Sequence, residues 1–150
     1  MDKLGAHEMN KSFFCLIGLL LIGISAGCHS DIVTTKRLKT LEHKCVHIEA
    51  IESEDPHVGK VISDVITKEF IRAKVELCDP SLATVFITGT TFLTSRAAKR
   101  GNQEAIESIS VVAKDRDGEI LLSASYGNKE QYTASELAKE FGKALAGKLK

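Results

Sequence analysis

Thr84 to Thr94, TVFITGTTFLT, is the most strand-like stretch of this 150-residue chain. It is dense in β-branched and aromatic residues, which suit a pleated, half-buried surface. Side chains alternate across a strand, so Val85, Ile87 and Leu93 share one face while Phe86 and Phe92 share the other. Apolar groups on both faces place such a strand in the middle of a sheet. Gly89 interrupts the run, and a glycine inside a strand marks a bulge or a close approach of another backbone.

On the C-terminal side, Ser95 to Glu104, SRAAKRGNQE, is polar and reads as a loop. Ala105 to Lys114 follows as a second long strand, with Ile109 and Val111 on one face and Ile106 and Val112 on the other. Asp115-Arg116-Asp117-Gly118 is a turn, since Asp-Gly is among the strongest short hairpin signals. Glu119 to Ser125 returns with Ile120, Leu122 and Ala124 on one face, and Tyr126 to Tyr132 is a polar loop. Thr133 and Glu136 fit a capping box, each able to bond the other's backbone N–H. The helix after it carries Leu137, Phe141, Ala144, Leu145 and Leu149 on one side. Lys143, Lys148 and Lys150 lie near its end, where cations suit the helix dipole.

On the N-terminal side, Val75-Glu76-Leu77 is a short extended piece that stops at Cys78-Asp79-Pro80. Before it, Val58, Val61, Ile62, Val65, Ile66 and Phe70 recur at helical spacing, a face that must cover a sheet or another helix. Asp55-Pro56 starts that helix, with a side-chain oxygen to cap it and a ring already at helical φ. Lys44 to Ile51, KCVHIEAI, alternates, with Val46, Ile48 and Ala50 inward and His47 and Glu49 outward, as in a half-buried strand. His29 to Glu42 is mostly polar without a sustained period and reads as a tether.

These elements predict a two-layer α+β domain over residues 43–150. Its sheet is four- to five-stranded and mostly antiparallel, with two amphipathic helices on one face. The apolar faces form one core, so a chain begun at Thr40 is expected to fold by itself. The second sheet face is then only partly covered. Phe86 and Phe92 would form an exposed apolar patch there, and such patches commonly mark partner sites.

The start of the chain speaks to location. Phe13 to Cys28 is FFCLIGLLLIGISAGC. Its apolar part, about twelve residues, would cover only ~18 Å as a helix against the ~30 Å of a bilayer core. That suits the apolar region of a signal peptide, with Lys11 as the positive charge ahead of it. Ala26, Gly27 and Cys28 resemble the lipobox of signal peptidase II substrates, with Ser25 where Leu is usual. The resemblance implies a bacterial lipoprotein acylated at Cys28. Residues 1–27 would be its signal, and 28–42 its lipid anchor and tether. Met9-Asn10-Lys11 resembles a signal start better than residues 1–8, which then belong to an upstream start. His29, rather than Asp, after the cysteine implies the outer membrane, facing the periplasm; the inner membrane and the cell surface stay open. An ordinary secretory signal is the alternative. Lys36, Arg37 and Lys39 would lie near anionic headgroups, or be merely solvated.

Ala83 to Gly89, the Asp117-Gly118 turn and the closing helix resemble a diffuse group of periplasmic domains. The group includes the amino-terminal domain of TolB, the curli secretion lipoprotein CsgG and the penicillin-binding-protein activator LpoB. The resemblance covers roughly residues 44–150. It implies the same fold and compartment and a role in binding other envelope proteins, and it carries over no functional residue.

Twenty basic and twenty acidic residues balance, which argues against nucleic acid, a partner that needs a basic footprint. Trp is absent and aromatics are few, which disfavours a stacking platform for sugars or bases. Cys45 and Cys78 are an even pair in an exported chain and either form a disulfide or remain two buried thiols. His43, Cys45 and His47 alternate; on one strand face they would be a candidate metal set, or else a solvated face. Arg96, Lys99 and Arg100 are the basic cluster of the folded part, a candidate partner-binding loop for an acidic group. Ser108 and Ser110 lack a nucleophile elbow, no phosphate or dinucleotide loop is present, and Asp79, Asp115 and Asp117 suit turns. The expected protein is therefore not an enzyme, carries no cofactor and touches the membrane through its lipid. It serves as a binding or assembly module for another envelope component. The alternative is a small-ligand or metal-binding periplasmic lipoprotein.

Overall fold

The computed structural model describes residues 30–98, 101–128 and 132–150, with backbone alone at residue 30 and in the stretches 94–98 and 101–105. The elements run β1 (Ser30–Thr34), α1 (Lys36–Thr40), β2 (Cys45–Glu52), α2 (Pro56–Arg72) and β3 (Glu76–Leu77). They continue with β4 (Val85–Ala98), β5 (Gly101–Lys114), β6 (Ile120–Gly127) and α3 (Ala134–Leu149). The strands form one sheet in the order β1-β6-β5-β4-β2-β3. The class is α+β, as expected, but the sheet has six strands and is mixed. β2 is parallel to both β3 and β4, and the other pairs are antiparallel. The parallel pairs arise because α2 carries the chain back to the start of the sheet after β2, as a parallel crossover requires.

The sixth strand comes from the stretch expected to be a tether. β1 pairs with β6 from Ser30↔Tyr126 to Thr34↔Leu122, and the Thr35 N–H donates to the Leu121 carbonyl at 2.9 Å. Leu38 of α1 is 1% exposed and belongs to the core. A five-residue edge strand turns few side chains inward, here Ile32, too few to make a period. Residues 30–38 are thus built into the fold.

The expected loop at 95–104 is the end of a long hairpin. β4 and β5 stay paired to Ala98↔Gly101. β2 accompanies β4 only to Thr90 and β6 accompanies β5 only from Ser108. Beyond those points the hairpin is a two-stranded ribbon, in which Leu93 and Ile106 still reach the core.

α2 lies over β2 and β3, α3 lies over β1, β5 and β6, and the helices pack on each other. Asp55 caps α2 by accepting from the His57 N–H at 2.8 Å, with Pro56 in the first turn. Ile62, Ile66 and Phe70 are buried; Val61 is exposed, at the margin of the expected stripe. The capping box of α3 is present, and Leu137, Phe141, Leu145 and Leu149 are buried.

Three side chains expected from strict alternation lie elsewhere, each beside an irregularity. In β2 the register shifts between Ile48 and Ile51, so Ile51 rather than Ala50 enters the core. In β5 a shift opposite Phe92 and Leu93 brings Ile106 to the same side as Ile109 and Val111. At the start of β6 a shift leaves Ile120 53% exposed and buries Leu121 with Leu122. Each extra residue reverses which face the next one meets. β4 is central, between β5 and β2. A Cβ on its Gly89 would stand 2.7 Å from the Ser110 carbonyl oxygen and 2.7 Å from Val111 Cγ1, so the glycine permits a close approach by β5.

Candidate functional site

Two regions hold side chains that the core does not use. The first is the sheet face that no element among the described residues covers. Val85, Ile87, Ile109, Val111 and Ala113 point to the helices, so the intervening residues point away from them. Register aligns these into rows across strands ~4.8 Å apart. One row is Asp31, Ser125, Ser110 and Thr90; the next is Val33, Ser123, Val112 and Thr88. Phe92 stands opposite Ser108 and is 59% exposed, and Val33 is 62% exposed at the β1 edge. Phe86 is half-buried, its ring 6.2 Å from that of His47 in an edge-on contact. The face expected to be an apolar patch is mixed: hydroxyls of Thr88, Thr90, Ser110, Ser123 and Ser125 surround Val112, with Phe92 and Val33 at the margins. The hydroxyl rows are the part sequence reasoning missed; a hydroxyl at every second residue, in Thr88-Gly89-Thr90, Ser108-Ile109-Ser110 and Ser123-Ala124-Ser125, was the available signal.

The second region is the corner where β2 and β3 begin. Parallel register sets Cys45 beside Glu76 and Val46 beside Leu77. Cys45 and Cys78 form a disulfide with Cα atoms 5.7 Å apart. The Cys78 N–H donates to the Val46 carbonyl at 2.9 Å. Thr84 braces the entry to β2: its hydroxyl accepts from the Cys45 N–H and donates to the His43 carbonyl, both at 3.0 Å. His43 Nε2 lies 3.6 Å from Glu76 Oε2. One donor atom each of His43, Cys45 and Glu76 lies within 4.8 Å of the other two.

The expected trio is therefore altered. His47 leaves it because its ring turns to Phe86 and its Nδ1 to the Cys78 carbonyl, 3.2 Å away. His43 precedes the strand, so alternation does not govern it. Glu76 joins because of the parallel pairing, which local sequence does not announce.

Other sequence-derived candidates stand apart. Cys28, Lys99 and Arg100 lie outside the described residues; the backbone of Arg96 is in β4 opposite Gln103. Arg37, read as either near headgroups or merely solvated, meets the β5–β6 turn: its guanidinium is 2.6 Å from both Asp115 Oδ2 and Glu119 Oε2 and 3.2 Å from Asp117 Oδ2. Asp115 shapes that turn, its Oδ1 accepting from the N–H groups of Asp117 at 3.0 Å and Glu119 at 2.9 Å. Among the described residues no helix is long and apolar enough to cross a membrane.

No family model matches the chain, and no curated protein matches it. Solved structures do. The chain is similar to a point variant of the PelC dodecamer from Paraburkholderia phytofirmans, at 13% identity and a TM-score of 0.59, covering 81% of this chain and 98% of that one. A second PelC dodecamer structure from the same organism gives 12% identity and 0.57 over the same shares. A PDZ domain protein from Parabacteroides distasonis gives 13% identity and 0.52, over 78% of this chain and 34% of that one. At such identities the likeness is one of fold.

Proposed function

We propose that this chain is a lipoprotein anchored through Cys28 in the outer membrane. There it faces the periplasm and acts as a non-enzymatic binding or assembly module for another envelope component. The observation that carries the reading is the uncovered sheet face. Its hydroxyl rows can bond a partner's polar groups, while Phe92 and Val33 offer apolar contact at the margins. A partner covering it would remove both apolar side chains and hydroxyls from water without exposing new core. The fold is compatible with assembly, since PelC, which shares it, is a dodecamer.

The docking test is a photo-crosslinking residue placed at Thr90 on this face and, as control, at Lys139 on the outer side of α3, in the full-length chain in cells. One reproducible adduct from Thr90 that Phe92→Ser weakens, with none from Lys139, is the expected result. The same pattern from both positions, or none from either, would count against a docking role. The anchor is tested separately. Each buried CH₂ contributes about 0.8 kcal/mol and one acyl chain alone binds only reversibly, so the three chains that the lipobox resemblance implies would make a stable anchor. Cys28→Ser should lose the acyl mass and leave the outer membrane fraction; wild-type fractionation of that variant would exclude the lipid as anchor.

A further inference from the structure

His43 and Glu76 are not needed to close the Cys45–Cys78 bond, yet a donor atom of each lies within 4.8 Å of the Cys45 sulfur. The convergence is built by the fold. Thr84 holds the His43 carbonyl and the Cys45 N–H, and the parallel pairing of β2 with β3 holds Glu76 beside Cys45. With the disulfide closed, neither sulfur is a thiolate, and the thiolate is the form that binds metal. The corner then offers only an exposed imidazole and an exposed carboxylate.

We propose that reduction of the disulfide turns this corner into a zinc site formed by the Cys45 and Cys78 thiolates, His43 Nε2 and the Glu76 carboxylate. Two sulfurs, an imidazole and a carboxylate suit tetrahedral zinc and do not suit calcium or magnesium, which take oxygen ligands. Donors around one zinc ion sit roughly 3.3–3.8 Å apart, given bonds of about 2.0–2.3 Å. The three atoms now within 4.8 Å of one another must close by about an ångström. His43 and Glu76 are exposed and free to supply that movement. The sulfurs do not drift apart when their bond opens. Cys45 starts β2, which pairs on both sides with β3 and β4, and Cys78 is held by its N–H on Val46 and by His47 Nδ1 beside its carbonyl.

The chemistry balances with a dithiol as reductant. The dithiol delivers two electrons and two protons to the sulfur–sulfur bond, becoming a disulfide itself and leaving two thiols on this chain. Zinc then displaces both thiol protons to solvent and binds the thiolates. The inference does not rest on the docking reading of the sheet face.

The test is titration of the untagged, full-length chain with cobalt(II) and zinc(II), oxidised and dithiol-reduced. The reduced chain should bind one ion, with a thiolate-to-cobalt charge-transfer band and tetrahedral d–d bands, and the oxidised chain neither. Affinity should rise by about a hundredfold or more on reduction. His43→Ala and Glu76→Gln should each weaken binding about tenfold or more at unchanged circular dichroism. Cys78→Ser needs no reductant and should bind cobalt more weakly, with about half the charge-transfer intensity. A reduced chain that keeps its circular dichroism and takes up no cobalt overturns the proposal. So does wild-type affinity in both His43→Ala and Glu76→Gln, or a folded Cys78→Ser chain that binds no cobalt.

Discussion

Arg37 reaches across from α1 to Asp115 in the β5–β6 turn, Nη2 to Oδ2 at 2.6 Å, and the Asp115 side chain is only 7% exposed. The contact ties the first helical turn of the fold to the sheet's last hairpin. It also neutralises a carboxylate whose other oxygen organises the turn.

Asp115→Ala should therefore cost about 2–3 kcal/mol, because it leaves two backbone N–H groups without their acceptor as well as removing the ion pair. Arg37→Ala should cost about 1 kcal/mol, the guanidinium being half exposed and screened by solvent. Urea unfolding compares them; equal losses would mean that the turn does not depend on Asp115. The same logic corrects the expected domain boundary. A chain begun at Thr40 lacks β1, Leu38 and Arg37 and bares the edge of β6. It should unfold less cooperatively than one that retains residue 30 onward.

Phe141 is fully buried, with its ring centroid 5.8 Å from that of Tyr126. Phe141→Ala should destabilise by about 3–5 kcal/mol, a large part of a typical 5–15 kcal/mol. A loss below ~1 kcal/mol, measured by urea unfolding, would place the ring in solvent.

Two helical glycines should respond oppositely to alanine. A Cβ at Gly59 would stand 2.3 Å from the Ile51 carbonyl oxygen, which a strand cannot withdraw, whereas nothing lies within 4 Å at Gly147. Gly147→Ala should stabilise by up to ~1 kcal/mol through helix propensity. Gly59→Ala should destabilise despite that gain, by about 1–3 kcal/mol. Thermal melts of both variants give the signs directly.

Glu136 holds its carboxyl below the ordinary 4.5, first because it accepts the Thr133 backbone N–H and then because it accepts the Thr133 hydroxyl. Its folded pKa is thus lower than its unfolded one. The capping contribution is present above the unfolded value and fades as pH falls through the folded one. Nuclear magnetic resonance titration of the Glu136 side chain should show the depressed midpoint. In Thr133→Ala, which keeps the backbone N–H and loses the hydroxyl, it should move part of the way back up; an unmoved midpoint would leave the hydroxyl without a share in the depression.

Helices were legible because their signals are local. Asp55-Pro56 and the Thr133/Glu136 pair mark starts, and Ile62, Ile66, Phe70, Leu137, Phe141 and Leu145 repeat within each element. Strand faces were legible only between bulges. Ala50, Ile106 and Ile120 were misassigned where neighbouring strands impose an extra residue, which no window of sequence contains. β1 was missed because Ile32 alone is its inward signal. Of the metal-type candidates, His43 and Cys45 were visible, whereas Glu76 enters through a parallel pairing made across α2 and Cys78 through the disulfide.

The position of β1 also has a consequence in time. Thr35, just after this strand, bonds a carbonyl 86 residues further along. At about 5–20 residues per second, that partner follows Thr35 out of the ribosome by roughly 4–17 s. Until then the sheet has no place for its first strand, and Leu38 has no core to enter. Contact order of this kind slows folding. β1, although early in the chain, is therefore locked only once β6 has been made.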